Sequence, residues 1–268
     1  MTRARIETCF ERLRQEDRTA LVAFLTVGDP SVEDSEKCAL AAVQAGADIL
    51  ELGVPFSDPT ADGPVIAAAS YRAIRQGGSL RAALRVAEAV RQRSDAPIVL
   101  FSYYNPILAF GATELPARAA EVGVDGLLLV DVPPEEGHEL RDAADAADLA
   151  VIPLVAPTTG TERERLVLAR ARGFIYYVSL TGVTGSAEAP LQQAGRAAAR
   201  LRERWDLPVV VGFGIDSPAK ARLVADEKVD GVVVGTAIVR AIDAAEDSAG
   251  RVRAVTDLVG ALRAGLDR

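Results

Sequence analysis

The chain of 268 residues is poor in the side chains that most metal and covalent chemistry needs. It has one histidine, His138, and two cysteines, Cys9 and Cys38. This one imidazole falls in a helical stretch after the fourth strand-like run and reads as a surface residue, which excludes histidine-based metal sites and His-dependent triads. The two cysteines sit in stretches of helical pattern and read as reduced thiols packed as small apolar groups. Lysine is nearly missing: among 30 basic residues only Lys37, Lys220 and Lys228 are lysines. None lies at the end of a strand-like run, so a Schiff-base mechanism has no nucleophile. No Gly-x-Ser-x-Gly elbow and no Walker loop occurs. Positive charge is in deficit, 30 basic residues against 38 acidic ones for a net −8. Such a chain lacks the positive field that nucleic acid or an anionic membrane would require. No apolar run approaches about 18 residues, and the start, Met1 to Glu7, has no apolar h-region. A soluble, cytoplasmic protein is the expectation.

Hydrophobic residues make up 49% of the chain, enough for one sizeable core. They fall in short runs at Ala20–Thr26, Ile49–Val54, Pro97–Tyr103, Gly126–Val130, Ala150–Ala156, Phe174–Leu180, Pro208–Phe213 and Gly231–Gly235. Several are apolar at every position, as parallel strands buried on both faces are. Amphipathic stretches of helical period follow each of them, among these Glu33–Gln44, Ser79–Gln92, Glu135–Ala147, Glu162–Arg172 and Pro218–Ala225. Capping signals open several of these, namely Asp29-Pro30-Ser31, a Thr161/Glu164 capping-box pattern and Ser217-Pro218. Eight such pairs predict a (β/α)8 TIM barrel, one domain over residues 1–268, with an extra N-terminal helix near Arg5–Gln15. A doubly wound open sheet is disfavoured, because Val27-Gly28-Asp29-Pro30 follows the first run where a Gly-x-Gly-x-x-Gly turn would belong.

In a barrel the chemistry lies where strands end and loops begin. Three glycine clusters fall there: Thr181-Gly182-Val183-Thr184-Gly185, Gly212-Phe213-Gly214, and Gly235-Thr236 before a short helical Ala237–Ala241. Glycine lets main-chain N–H groups approach an anion, and a helix start adds a positive dipole end. One cluster would mean only a tight turn. Three at consecutive strand ends point to a phosphate.

The second run holds Glu51 between Leu50 and Leu52, and the loop after it carries Asp62. A carboxylate inside an apolar strand is costly unless paired or protonated, and burial raises its pKa toward neutrality. The alternative for Glu51 is a structural ion pair, but no basic residue lies on a neighbouring run. Asp62 alone would be an ordinary turn residue. Together they suggest proton chemistry by two carboxylates on a phosphorylated small molecule, with Tyr103, Tyr104, Tyr176 and Tyr177 as possible helpers.

Phe24-Leu25-Thr26-Val27-Gly28-Asp29-Pro30, the stretch from Ala45 through Glu51-Leu52-Gly53-Val54-Pro55-Phe56-Ser57-Asp58-Pro59 to Ala61-Asp62-Gly63-Pro64, and Gly182-Val183-Thr184-Gly185 resemble the tryptophan synthase α subunits. The similarity runs the length of the chain. It implies a carbon–carbon lyase that cleaves indole-3-glycerol phosphate to indole and glyceraldehyde 3-phosphate without a cofactor of its own. It also implies Glu51 and Asp62 as the catalytic pair, with Tyr176 as an active-site tyrosine. Phe24, Thr184 and Phe213 would contact substrate, and Gly185, Gly214, Gly235 and Thr236 would hold phosphate. Leu180 departs from an arginine found in some members, and Thr236 replaces a common serine. The resemblance further implies a pyridoxal-phosphate-dependent β subunit as partner in an α2β2 complex. Pro55, Asp58 and the apolar loop Asn105-Pro106-Ile107-Leu108-Ala109-Phe110 are the expected partner contacts, and Leu180–Pro190 the expected lid. Two rival readings are a phosphate-barrel isomerase and a weakly active activator of a β-type partner.

Overall fold

Along β1 (Ala20–Thr26) every residue is buried, and alternate side chains enter two separate cores. Ala20, Val22 and Phe24 point into a central cluster, whereas Leu21, Ala23 and Leu25 join an outer one beneath the helices. This two-sided burial is what an all-apolar strand requires. The same parity recurs in β2 (Ile49–Gly53), β3 (Ile98–Ser102) and β4 (Gly126–Leu129). It continues through β5 (Ala150–Ile152), β6 (Leu154–Val155), β7 (Ile175–Val178), β8 (Val209–Gly212) and β9 (Gly231–Val234). The computed structural model describes residues 4–178, 188–212 and 214–267.

All the ladders among the described residues are parallel, and the strands follow the order β5-β4-β3-β2-β1-β9-β8-β7-β6. The two ends of that order are joined by Pro153 alone, so the sheet closes on itself as a barrel. Proline has no N–H to give to a ladder, and the fifth stave is therefore split. Its first half pairs with β4 and its second with β7, where the Tyr176 N–H donates to the Pro153 carbonyl at 2.9 Å. Eight staves and their helices agree with the sequence reading. The run expected over Ala150–Ala156 is two strands, a difference that Pro153 explains.

The N-terminal helix Ala4–Gln15 closes the bottom of the barrel, burying Ile6, Cys9, Phe10 and Leu13 in the central cluster. Both cysteines are free and buried, as expected of small apolar groups. At that end the three Asp residues preceding β2, β4 and β9 do one job. Asp48, Asp125 and Asp230 each accept the N–H of a residue starting the adjacent strand, from Leu21, Ile98 and Val209 at 2.8–2.9 Å. Each also meets an arginine: Arg263, Arg91 and Arg202 at 3.0, 2.7 and 2.9 Å. Asp125 is the most enclosed, and also takes Arg5 at 2.9 Å. Removing one partner of a buried ion pair strands the other, so Asp125→Ala is expected to lower folding stability by about 3–5 kcal/mol. Urea unfolding of the two proteins checks this.

Two local expectations are corrected. The Thr161/Glu164 capping box does not form: Gly160 is the N-cap of helix Thr161–Leu168, with no side-chain cap. Glu164 instead accepts from Arg204 at 2.7 Å and the Trp205 indole N–H at 2.7 Å. The apolar segment after β3 is a helix, Tyr104–Phe110, rather than a loop. By contrast, Ser31 and Ser217 cap their helices through Asp34 N–H and Lys220 N–H, as their sequence context predicts.

Candidate active site

Glu51 stands at the centre of β2, in register with Phe24 of β1 and Val99 of β3, both of which face the barrel interior. Strand alternation therefore turns its side chain inward. It is 0% exposed, and among the described residues neither carboxyl oxygen has a hydrogen-bond partner. Burial alone pushes its pKa up to about 8, so the group is mostly protonated at neutral pH. A buried acid without partners is expensive, which makes a purely structural role a poor explanation for it.

Above it, at the C-terminal mouth, lies a cavity of about 280 Å³. One wall is apolar: Phe24, Ile66, Phe101, Tyr176, Ile215 and Val233. Phe24 and Phe101 meet edge to face, with centroids 5.3 Å apart and planes at 78°. The Tyr176 ring projects inward from β7 across Gly212, where a Cβ would fall on the phenol. Its phenol is raised far above its usual pKa, first by burial and then by the charges of Glu51 and Asp62. Both acids therefore act on the Tyr176 phenol. Asp62 itself lines the cavity from the β2 loop, half-buried, with its pKa raised to about 6 by burial against the lowering effect of Tyr103.

The rest of the lining is polar or glycine. It is formed by Gly214, Asp216, Gly235, Thr236 and Arg240. Gly214 has φ +79°, a conformation open to glycine and strained for other residues. Gly235 precedes the helix Thr236–Asp243 without a side-chain cap, which leaves the first-turn N–H groups directed outward from the helix end. Arg240 adds a positive charge, while Asp216 is paired with Lys220 at 2.8 Å. Such a helix start suits an anion.

The structure thus gathers Phe24, Asp62, Tyr176, Gly214, Gly235 and Thr236 around one cavity, with Glu51 buried beside Tyr176. Thr184, Gly185, Leu180 and Phe213 lie outside the described residues, as does most of the Leu180–Pro190 segment. Tyr177 faces the outer core and does not join the site. Ile66, Phe101 and Arg240, which also line the cavity, were missed in the sequence. Strand parity could have found Phe101, and i,i+4 spacing from Thr236 could have found Arg240. The Thr26 Oγ is buried without a partner among the described residues.

Of the expected partner contacts, Asp58 and Asn105 are exposed and Pro106 and Phe110 partly so, while Pro55 is buried within the chain. Phe110 lies under the Arg81 guanidinium at 4.8 Å, and Leu108 beside it is 52% exposed. His138 is exposed, far from any such chemistry. A second cleft, of about 550 Å³, opens at the bottom of the barrel. Its arginines are already engaged, Arg5 with Asp125 and Arg12 and Arg18 with Glu16.

The sequence pattern of the tryptophan synthase alpha chain family matches residues 10–266. The chain belongs to this family. It is 45% identical over 262 residues to the tryptophan synthase alpha chain of Geotalea daltonii, covering 98% of each chain. The same protein of Geotalea uraniireducens is 45% identical over 263 residues, again with 98% of each covered. Among solved structures, the tryptophan synthase subunit alpha of Legionella pneumophila superposes with a TM-score of 0.89 at 34% identity, covering 98% of each chain. A tryptophan synthase structure from M. tuberculosis, in its aminoacrylate-bound form, gives 0.87 at 34% identity over 98% and 99% of the chains. As a member of this family the chain is a lyase of tryptophan biosynthesis, cleaving indole-3-glycerol phosphate by a retro-aldol reaction. Among the described residues no group of three or more His, Cys, Asp or Glu is placed to hold a metal. None of the described helices is long and apolar enough to cross a membrane.

Proposed function

We propose that Glu51 is the proton carrier of this cleavage and Asp62 its electrostatic partner, acting on a substrate whose phosphate sits at Gly214, Gly235 and Thr236. The observation that carries this reading is Glu51 itself: an acid buried inside the barrel with no hydrogen-bond partner among the described residues and a raised pKa, near a cavity lined by apolar side chains and by glycines at a helix start. An indole ring fits between Phe24, Phe101 and Tyr176, and the glycerol phosphate tail then reaches the helix start at Thr236. Thr184, Gly185 and Phe213 belong to the same proposed substrate and phosphate contacts on the strength of the family resemblance.

The steps balance with one proton. The Glu51 carboxyl delivers it to indole C3, and positive charge develops on the ring and its N–H. Asp62, ionised, accepts a hydrogen bond from that N–H and favours the charge. The resulting Glu51 carboxylate then takes the proton of the glycerol hydroxyl. The C3–carbon bond breaks, its electrons restore the indole, and the hydroxyl carbon leaves as the aldehyde of glyceraldehyde 3-phosphate. Glu51 ends protonated, ready for the next turnover, and the chain needs no cofactor of its own.

The indole would pass to a β subunit carrying pyridoxal phosphate, in an α2β2 complex in the cytoplasm. Exposed Asp58, Asn105 and Leu108, with Pro106 and Phe110, are the surface proposed for that contact, Pro55 supporting it from within.

The test is indole release from indole-3-glycerol phosphate by the purified chain, followed against pH. The reaction needs Asp62 ionised and Glu51 protonated. Activity is therefore expected to fall below about pH 6 and above about pH 8. An isomerised product without indole would point to a different barrel chemistry.

A further inference from the structure

We propose that Tyr103 is a positioning residue for the cleavage: its hydroxyl ties down the main chain beside Asp62 and aims the Asp62 carboxylate into the cavity. This rests on the reading that Asp62 acts on the substrate.

Tyr103 directly follows β3 and is 3% exposed. Its hydroxyl accepts the Ala61 N–H at 2.9 Å, a bond between residues 42 apart in sequence. Its ring lies against Phe56, with centroids 5.1 Å apart. One side chain thus holds the β2 loop near both of its ends. Val54 N–H, donating to Phe101 O at 2.8 Å, holds the start of the loop to β3; beyond it the loop's own bonds are short turns, Thr60 N–H to Asp58 O at 2.9 Å and Asp62 N–H to Pro59 O at 3.1 Å. These turns shape the loop but do not fasten it to the barrel. The Ala61 bond does.

The direction of the proton follows. A phenol has one O–H, and the Ala61 bond uses an oxygen lone pair. The hydroxyl proton is therefore left for the neighbouring Asp62 carboxylate, whose charge Tyr103 favours. The other groups facing Asp62 do not replace this donor. Tyr176, Arg240 and Asp216 line the same cavity, Glu51 acts on Tyr176, and Asp131 acts on Tyr103. Burial drives Asp62 toward protonation, and Tyr103 opposes that drive. Loss of the hydroxyl therefore raises the Asp62 pKa and loosens the loop in one stroke.

Tyr103→Phe keeps the ring against Phe56 and removes only the oxygen. It is expected to lower kcat by roughly 10- to 100-fold with little change in KM, the signature of a reacting group moved from its productive place. The acidic limb of the pH profile moves to higher pH. In an Asp62→Asn background the same substitution adds no further loss, because its effect runs through the carboxylate. Equal factors in the two backgrounds, or an acidic limb that stays put, overturn the proposal while leaving Asp62 in its role. Full activity in Asp62→Asn alone overturns both. Should Tyr103→Phe fold poorly, a ring-fluorinated tyrosine placed at 103 preserves the shape and strengthens the donor. The acidic limb must then move to lower pH, and no movement counts against the proposal.

Discussion

Glu51→Gln is expected to abolish indole release by at least about 10²–10⁴-fold, the range that a positioned acid–base group contributes. The amide has nearly the shape of the protonated acid and fits the same space, but it can neither deliver nor accept the proton. The barrel stays folded. Its stability also changes with pH in a definite direction. The Glu51 pKa is raised on folding, from an ordinary 4.5 to about 8. A raised carboxyl pKa means the folded chain holds its proton more tightly, so ionisation costs stability as pH climbs from the unfolded value toward the folded one. The penalty is absent below about 4.5 and fully present above about 8. The glutamine variant does not ionise, so its advantage over the parent grows across that window. Indole assay and thermal unfolding at pH 5 and pH 8.5 measure both effects. Near-normal turnover in the variant would remove Glu51 from the mechanism.

Asp62→Asn separates the electrostatic role from ligand anchoring. Loss of one preorganised group facing developing charge costs about 10²–10³-fold in kcat. The proposed phosphate contacts, at Gly214 and Thr236, come from loops other than the β2 loop and should be little disturbed. Competition by inorganic phosphate is therefore expected to be nearly unchanged while kcat drops. The pH profile changes as well, because the acidic limb near 6 belongs to Asp62 and disappears with it. Parallel losses in turnover and phosphate competition would mean that Asp62 only shapes the loop.

Much of this was legible because burial constrains both sequence and structure. Ala20–Thr26 is apolar on both faces, and β1 has those same bounds because both faces are covered. Glu51 stood out for the same reason, a lone acid where every neighbour is apolar. Strand parity then fixed which way it points. Features set by distant contacts were not legible. Glu164 had a local use as a cap, but Arg204 and Trp205, brought in from the next helix, offered stronger hydrogen bonds. The helix expected from Glu135 begins only at His138, after Gly137 at φ +68°. Tyr103 was one tyrosine among several until the fold brought Ala61 to its hydroxyl. Of the glycine clusters, Gly214 and Gly235-Thr236 line the cavity, whereas residues 181–185 lie outside the described residues. Gly212 serves by making room for the Tyr176 ring, a steric role that composition does not reveal.

The divided fifth stave bears on how the ring is closed. Around the rest of the ring, adjacent staves act like those of a cask, each held to both neighbours by ladders along one strand. At the fifth stave the covalent chain itself carries the ring from β5, held to β4, to β6, held to β7, while the Pro153 carbonyl still accepts from Tyr176. In an eight-stave ring this step lies diametrically across from β1, so the wall bearing Phe24 and Glu51 keeps an unbroken register.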